Sequence, residues 1–205
     1  TYDIDGGANE SVSSTVPVIW LHANAKKLLQ QDNVTIKANI IVAKYPYPSV
    51  NVVGKVDGTD AELKKEYVLY SGHIDAHGIR DVIKNDSIFY GADDNGSVDV
   101  AMLANARAFV KNPSKRSILF VIHGAEERGL LGSKYFSQHS TVPIKNIVAV
   151  LNGDMIGRNN TDSAAMLGSV QPHRNSLALV NMALVAISEG HRFKLDTTWD
   201  KPSSN

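Results

Sequence analysis

The sequence predicts an α/β fold in which helices cover both faces of a mixed, mostly parallel β-sheet. From residue 46 onward, short apolar segments alternate with segments of helical periodicity, which is typical of strand–helix–strand units around a parallel sheet. Within this region, Ser117–His123 has a continuous apolar centre, as expected of a strand that is covered on both faces. Both observations favour one α/β domain in the larger part of the chain.

Six further elements complete this pattern. In the helices, apolar residues recur at helical spacing, as Val98, Met102 and Phe109 do in the first of them, and Asn95 is a candidate cap before that helix. The predicted strands are short and rich in apolar or β-branched residues. We expect strands at Val50–Val56, Tyr67–Ser71 and Ile147–Leu151, and helices at Ser97–Val110, Gly129–Gln138 and Asn175–Glu189.

The beginning of the chain follows a different pattern and predicts a small, partial α+β segment. Its elements are expected at Val16–Leu21 (strand), Ala23–Gln30 (helix) and Val34–Val42 (strand). The segment Tyr45–Pro48 then interrupts the pattern with two prolines, which indicates a boundary. We therefore divide the chain into residues 1–45 and a main domain of residues 46–205.

Composition limits the classes of partner and of metal ligand. Lysine plus arginine and aspartate plus glutamate number 21 each, so the formal net charge is zero, and we expect no nucleic-acid or anionic-membrane partner. No apolar run approaches the roughly 20 residues of a membrane helix. There are no cysteines, so disulfides and thiolate zinc sites are excluded and histidine and carboxylates remain as strong ligands.

Four polar clusters are distributed among these elements, and three of them directly follow a predicted strand. In open α/β sheets, sites form beyond the carboxyl ends of the strands, so we expect the clusters to meet at one edge. One histidine with several carboxylates is what a pair of zinc ions needs to hydrolyse a peptide bond. The clusters are Gly72–Asp75, Gly91–Asn95, Glu126–Glu127 and Asn152–Met155.

Each cluster alone also has an ordinary structural explanation. In the His73–Asp75 segment one side chain can bind metal while the other orients a ligand, but a lone histidine is more often structural, and His77 competes for the same role. Asp93 and Asp94 could simply cap a helix. One carboxylate of the pair could instead bridge two metal ions, which lie about 3.5–4 Å apart in dinuclear hydrolases.

The other two clusters leave the same choice open. Glu126 and Glu127 would be solvated on a helix surface, but at a strand exit one can bind metal while the other is the general base for an attacking water. Asp154 could be a loop cap. Four such clusters in one order along the chain are hard to produce by chance, so we favour the catalytic interpretation.

The joint pattern resembles the di-zinc aminopeptidase family that includes aminopeptidase S, aminopeptidase Y and glutamate carboxypeptidase-like proteins. The resemblance extends over about half of the chain and implies a zinc exopeptidase-like fold. The matching stretches are Tyr70–Asp75, Gly91–Ser97, Ala125–Ser133 and Leu151–Gly157.

This resemblance implies a ligand set for two zinc ions. His73 and Asp154 would hold one ion, and Glu127 would hold the other. Asp93 would bridge both ions, in this family often across a cis peptide bond to Asp94.

The resemblance also implies the chemistry. Glu126 would be the general base for a metal-activated water, and Asp75 would steady His73. The protein would then be a metallo-aminopeptidase that removes N-terminal residues from peptides with a free N-terminus. Residues 1–45 look like the closing part of a protease-associated domain, and family members of this build are usually secreted or periplasmic.

One ligand of the family pattern has no counterpart. The second zinc of the family also takes a histidine late in the chain, in an Asp-His pair. None of His139, His173 and His191 belongs to such a pair. We therefore expect the chain to be an excerpt of a longer enzyme, incomplete at the C-terminus, with one weakened metal site; the sequence leaves open whether the excerpt is active by itself.

Two other functions remain open from the sequence. A glutaminyl cyclase-like acyltransferase would use one zinc ion and share much of this residue set. A non-catalytic binding module of the same fold is the third hypothesis, which the four intact clusters disfavour.

Overall fold

The computed structural model of the chain describes residues 30, 35, 37, 48–168, 176–190 and 193–196. The chain forms two compact units, Thr1–Pro48 and Ser49–Asn205. The elements predicted before residue 45 lie almost wholly outside the described residues. The α+β segment and its relation to a protease-associated domain therefore stay predictions.

The second unit contains a central sheet with two small satellite sheets. In chain order its described elements are β1 (Val52–Val56), β2 (Tyr67–His73), β3 (Gly78–Ile83), β4 (Asp86–Phe89), α1 (Gly96–Lys111), β5 (Ser117–His123), α2 (Leu131–Gln138), β6 (Ile147–Asn152), β7 (Ser163–Ala165), α3 (Leu177–Glu189) and β8 (Lys194–Asp196). None of the described helices combines the length and the apolar character needed to cross a membrane.

The central sheet is mixed and mostly parallel, as predicted. Its strand order is β1-β5-β2-β6, while β3–β4 and β7–β8 form separate two-stranded sheets. Strand β2 runs parallel to both β5 and β6, and β1 is antiparallel to β5. The continuous apolar strand β5 is thus an interior strand of the sheet.

Helices cover both faces of the central sheet, which confirms the predicted layers. Successive side chains of a strand point to opposite faces, and the core residues of β5 divide in this way. The cluster beneath α1 consists of Val98, Met102, Ile118 and Phe120. The cluster on the other face, beneath α2, consists of Leu69, Leu119, Val121 and Phe136.

The predicted boundaries of these strands and helices agree with the structure to within two residues. The difference that matters most is at β2, which continues through His73 instead of ending at Ser71. His73 is therefore held by parallel pairing opposite His123, the last residue of β5. Ser71 is paired with Asn152, the last residue of β6. The ends of three strands consequently meet at one edge of the sheet.

The β3–β4 hairpin and the β7–β8 pair are additions to the predicted pattern. Lys84 and Asn85 connect β3 to β4 with φ angles of 51° and 67°, and two-residue turns with positive φ favour hairpins. Ile79 and Ile88 are paired across this hairpin, yet they remain 79% and 48% exposed. Because the hairpin buries little, the apolar pattern of its strands is weak in the sequence.

Candidate metal centre

The centre is built around His73, which is only 3% exposed. Its Nδ1 lies 3.1 Å from the backbone carbonyl oxygen of Asp75. A carbonyl oxygen only accepts hydrogen bonds, so Nδ1 carries a proton, and in the neutral imidazole that a metal requires Nε2 then presents a lone pair. Within the described residues, this Nε2 is buried and has no hydrogen-bond partner. A histidine that ligates a metal usually has its other ring nitrogen anchored in this way.

Three carboxylates face this lone pair. The distances from Nε2 of His73 are 3.3 Å to Asp94 Oδ1, 3.7 Å to Glu126 Oε2 and 3.8 Å to Asp154 Oδ1. One ligand atom each from the imidazole, Asp94 and Asp154 lies within 4.8 Å of the other two. Ionised carboxylates only accept hydrogen bonds. A lone pair and several carboxylates around one point are therefore complementary to a cation.

The structure does not place Asp93 in this group of ligand atoms, which differs from the prediction. Its Oδ1 accepts a hydrogen bond of 2.7 Å from the backbone N–H of Gly157, while its Oδ2 is buried and has no hydrogen-bond partner among the described residues. Asp94 occupies the position beside the imidazole, and Asp93 instead fastens the loop that follows β6. Asp94 therefore lies at the centre, and Asp93 supports the neighbouring loop.

Asn95 connects this acid pair to the loop that carries Asp154. Asn95 is 1% exposed, its Nδ2 donates to the carbonyl oxygen of Gly153 at 3.1 Å, and its Oδ1 accepts from the N–H of Met155 at 3.3 Å. The peptide bond between Asp94 and Asn95 is cis, one residue later than expected. Asn95 occupies the N-cap position of α1 as predicted, but its side chain binds the neighbouring loop.

Two glycines allow α1 to approach the ends of β2 and β6. A Cβ atom at Gly72 or at Gly153 would lie 2.8 Å from Cγ1 of Val98, which is too close for two carbon atoms. Val98 lies in the first turn of α1 and is 4% exposed. This close packing brings Asp94, two residues before the helix, to the end of β2.

The turn that carries the two glutamates is held by Asp75. The carboxylate oxygens of Asp75 accept hydrogen bonds from the backbone N–H groups of Glu126 and Glu127, at 2.8 and 3.0 Å. Ala125, just before the pair, has a φ of 54°, a strained left-handed conformation for a residue with a Cβ. Asp75 therefore contacts both the imidazole of His73, through its carbonyl oxygen, and the glutamate turn.

Glu126 and Glu127 have different neighbours. Glu126 faces Nε2 of His73 and its side chain is 30% exposed. The side chain of Glu127 is only 10% exposed, and its Oε2 lies 2.9 Å from Nδ1 of His77. The pair thus presents one accessible carboxylate beside the central imidazole and one buried carboxylate beside a second imidazole.

Burial raises the pKa of two of these carboxyl groups. For Glu127, burial is the largest cause, and the carboxylates of Asp94 and Glu126 raise the pKa further against the opposing effect of nearby histidines. For Asp154, burial is again the largest cause, with the nearby histidine opposing it and Asp94 adding to it. Both groups therefore keep their protons to higher pH than ordinary carboxyl groups, and a bound cation would offset the repulsion.

Asn51 is a supporting residue that sequence reasoning missed. Its Nδ2 donates to the carbonyl oxygen of Gly132 at 2.8 Å, and its Oδ1 accepts from the N–H of Gly124 at 3.1 Å. The side chain therefore closes the turn between β5 and α2, which contains both glutamates. A polar residue just before a strand is common, so no local pattern identifies this role.

Together these features define an α/β protein with a metal centre at the carboxyl edge of its sheet. The chain belongs to peptidase family M28, which it matches over residues 51–191. Aminopeptidase YwaD of Bacillus subtilis (strain 168) is 44% identical over 68 residues, which are 33% of this chain and 15% of that protein. A protein named probable zinc metalloprotease from Pyrenophora tritici-repentis (strain Pt-1C-BFP) is 27% identical over 151 residues, 70% of this chain and 31% of that protein.

The fold is also similar to that of solved zinc aminopeptidases. The structure of BSAP, a zinc aminopeptidase from Bacillus subtilis, has a TM-score of 0.53 and 26% sequence identity, over 71% of this chain and 33% of that one. The chain therefore spans about a third or less of the length of each of these three proteins.

Proposed function

We propose that the protein is a zinc-dependent aminopeptidase. The observation that carries this proposal is the buried Nε2 atom of His73, which has no hydrogen-bond partner among the described residues and faces the carboxylates of Asp94 and Asp154 at 3.3 and 3.8 Å. Imidazole and carboxylate are the zinc ligands of peptidases that lack cysteine. Membership of peptidase family M28 and the relatives named as zinc metalloprotease and aminopeptidase support the same function.

In this proposal His73, Asp94 and Asp154 would hold the first zinc ion. Asp94 would take the role that the resemblance assigns to Asp93 and serve both ions, because its carboxylate lies beside the imidazole and is close enough to Glu127 to raise the pKa of that group. Glu127 would hold the second ion. The donor set of one imidazole and several carboxylates fits zinc in its chemistry.

Glu126 is the proposed general base. When bound, zinc supplies Lewis-acid chemistry, since it lowers the pKa of a coordinated water and polarises a carbonyl group. The carboxylate of Glu126 lies at the centre, 3.7 Å from His73 Nε2, with 30% of its side chain exposed. It can accept a proton from the attacking water and return that proton to the leaving amine nitrogen. Asp75 fixes the backbone of this residue through its N–H group.

The proposed substrates are peptides with a free N-terminus. This specificity is supported by the names of the relatives, which include an aminopeptidase and a solved zinc aminopeptidase. Secretion or a periplasmic location, and a protease-associated domain in residues 1–45, rest on the family resemblance alone and stay predictions.

The test compares the wild-type protein with Glu126→Gln in two assays. Zinc affinity, measured by competition with a chromophoric chelator, is expected to be nearly the same in both proteins. Hydrolysis of leucine p-nitroanilide is expected to fall by about 10²–10⁴-fold in the variant, the usual contribution of a general base. Measurable hydrolysis that is equal in the two proteins, or a wild-type protein that binds no zinc, would contradict the proposal.

A further inference from the structure

We propose that His77 is a positioning residue that holds the carboxylate of Glu127 in place for metal binding. The inference rests on the proposed function, because it concerns the group that would ligate the second zinc ion. The zinc-ligand set that the sequence implies does not include His77. The sequence offers His77 only as an alternative to His73.

The contact between the two side chains is short and sheltered. Nδ1 of His77 lies 2.9 Å from Oε2 of Glu127, and the two side chains are 29% and 10% exposed. Imidazole and carboxylate attract each other at this distance when the ring is protonated, and the attraction is stronger where the two groups are sheltered from water.

The contact with His77 is the ion pair that the described residues make with this carboxylate. Asp94 and Glu126 are also acidic and repel it, whereas the nearby His73 opposes that repulsion. The backbone N–H of Glu127 donates to a carboxylate oxygen of Asp75 at 3.0 Å, which fixes the main chain but does not act on the carboxylate. The contact with His77 acts on the carboxylate itself.

The hairpin β3–β4 in turn places the imidazole of His77. Gly78, the first residue of β3, has a φ of 69° and is paired with Phe89. The ring of His77 meets the ring of Phe89 edge-on, with centroids 5.9 Å apart and an interplanar angle of 77°. This packing gives a structural role to a hairpin that contributes little to the core.

Two substitutions separate the contact with Glu127 from the packing. His77→Phe keeps an aromatic ring against Phe89 but removes the nitrogen that contacts Glu127. His77→Asn loses the ring but can place its amide Nδ2 where Nδ1 lies and donate to the carboxylate. The control is His139→Phe, since His139 is a second histidine stacked on an aromatic ring, that of Tyr135, at the exposed end of α2.

Zinc affinity of the whole chain is measured by chelator competition for these variants and for Glu127→Gln. The loss of affinity in Glu127→Gln defines how much of the zinc binding depends on the carboxylate of Glu127. We expect His77→Phe to weaken that part by about 10–100-fold, the usual cost of losing a group that supports a metal ligand. His77→Asn is expected to recover most of the loss, and His139→Phe to bind as the wild type does. Adding His77→Phe to Glu127→Gln is expected to cause little further loss.

Three results would overturn the inference. Wild-type affinity in His77→Phe would show that the contact with Glu127 is dispensable and that His77 acts at most through its packing against Phe89. Equal losses in the phenylalanine and asparagine variants would indicate that the imidazole ligates the metal directly. Additive losses in the double variant would show that His77 does not act through Glu127. A wild-type chain that binds no zinc would instead contradict the proposed function, so the two failures are distinguishable.

Discussion

At the scale of single residues, the adjacent acids Asp93 and Asp94 have different roles. Asp94 lies beside His73, and Asp93 supports the loop that follows β6. Asp94→Asn is expected to weaken zinc binding, because it removes a negative charge 3.3 Å from His73 Nε2. The loss should be at least roughly 10–100-fold, which is the cost of losing a group that only supports a metal ligand. Asp93→Asn should bind zinc almost as tightly as the wild type. Its side-chain oxygen can still accept the hydrogen bond from the N–H of Gly157.

Chelator competition measures both affinities, and thermal unfolding of the metal-free variants shows whether each is folded. A larger loss of zinc affinity in Asp93→Asn than in Asp94→Asn would reverse the assignment of the two acids.

The sequence could identify this acid pair but could not show which of the two carboxylates faces His73. In a helix or strand, the direction of a side chain follows the period of the element, whereas residues 91–95 form an irregular turn. Gly91 there has a φ of 71°, and its carbonyl oxygen accepts a hydrogen bond from the N–H of Gly96 at 2.9 Å. Which acid faces His73 depends on this backbone path. The contact between Glu127 and His77 could not be predicted either, because it depends on the backbone path into the β3–β4 hairpin.

At the scale of the elements, the packing of α1 against the strand ends determines the geometry of the centre. Gly153→Ala is expected to destabilise the fold by about 1–3 kcal/mol, the usual cost of overpacking, because the new Cβ would lie 2.8 and 3.0 Å from the two methyl carbons of Val98. Val98→Ala removes both methyl groups. The double variant is therefore expected to lose less stability than the sum of the two single variants.

Chemical denaturation of the metal-free proteins measures these free energies of unfolding. Strict additivity of the two substitutions would mean that Gly153 and Val98 do not share this contact.

The elements that carry the centre were the most predictable part of the fold. Strand β5 has a continuous apolar centre because it is buried on both faces, and its predicted range, Ser117–His123, matches the structure. The hairpin β3–β4 was not predictable in this way, since its apolar residues are largely exposed and its turn, Lys84-Asn85, lacks glycine. The fold of the central sheet therefore follows from burial, whereas the hairpin follows from local turn geometry.

At the scale of the whole molecule, zinc is expected to stabilise the fold, and to do so more strongly at pH 7 than at pH 5. The pKa values of Glu127 and Asp154 are raised in the folded protein, whereas the pKa of an ordinary carboxyl group is about 4. The metal-free folded protein therefore loses stability as pH rises from about 4 through the raised pKa values. Zinc binds the deprotonated groups and removes this penalty. Zinc at a hundredfold excess over its Kd contributes about 2.7 kcal/mol.

Thermal unfolding with zinc or with a chelator at the two pH values tests this linkage. An increase in Tm on adding zinc that is equal at pH 5 and pH 7 would contradict the assignment of these carboxyl groups to the metal centre.

The central claim is that His73, Asp94 and Asp154 hold a zinc ion, and an anomalous-diffraction map of zinc-loaded crystals tests it most directly. The account predicts a zinc peak within bonding distance of His73 Nε2 and of carboxylate oxygens of Asp94 and Asp154, at about 2.0–2.2 Å. The carboxylate of Asp93 should remain on the N–H of Gly157. A peak bonded to Asp93 in place of Asp94, or no peak at this edge of the sheet, would contradict the account.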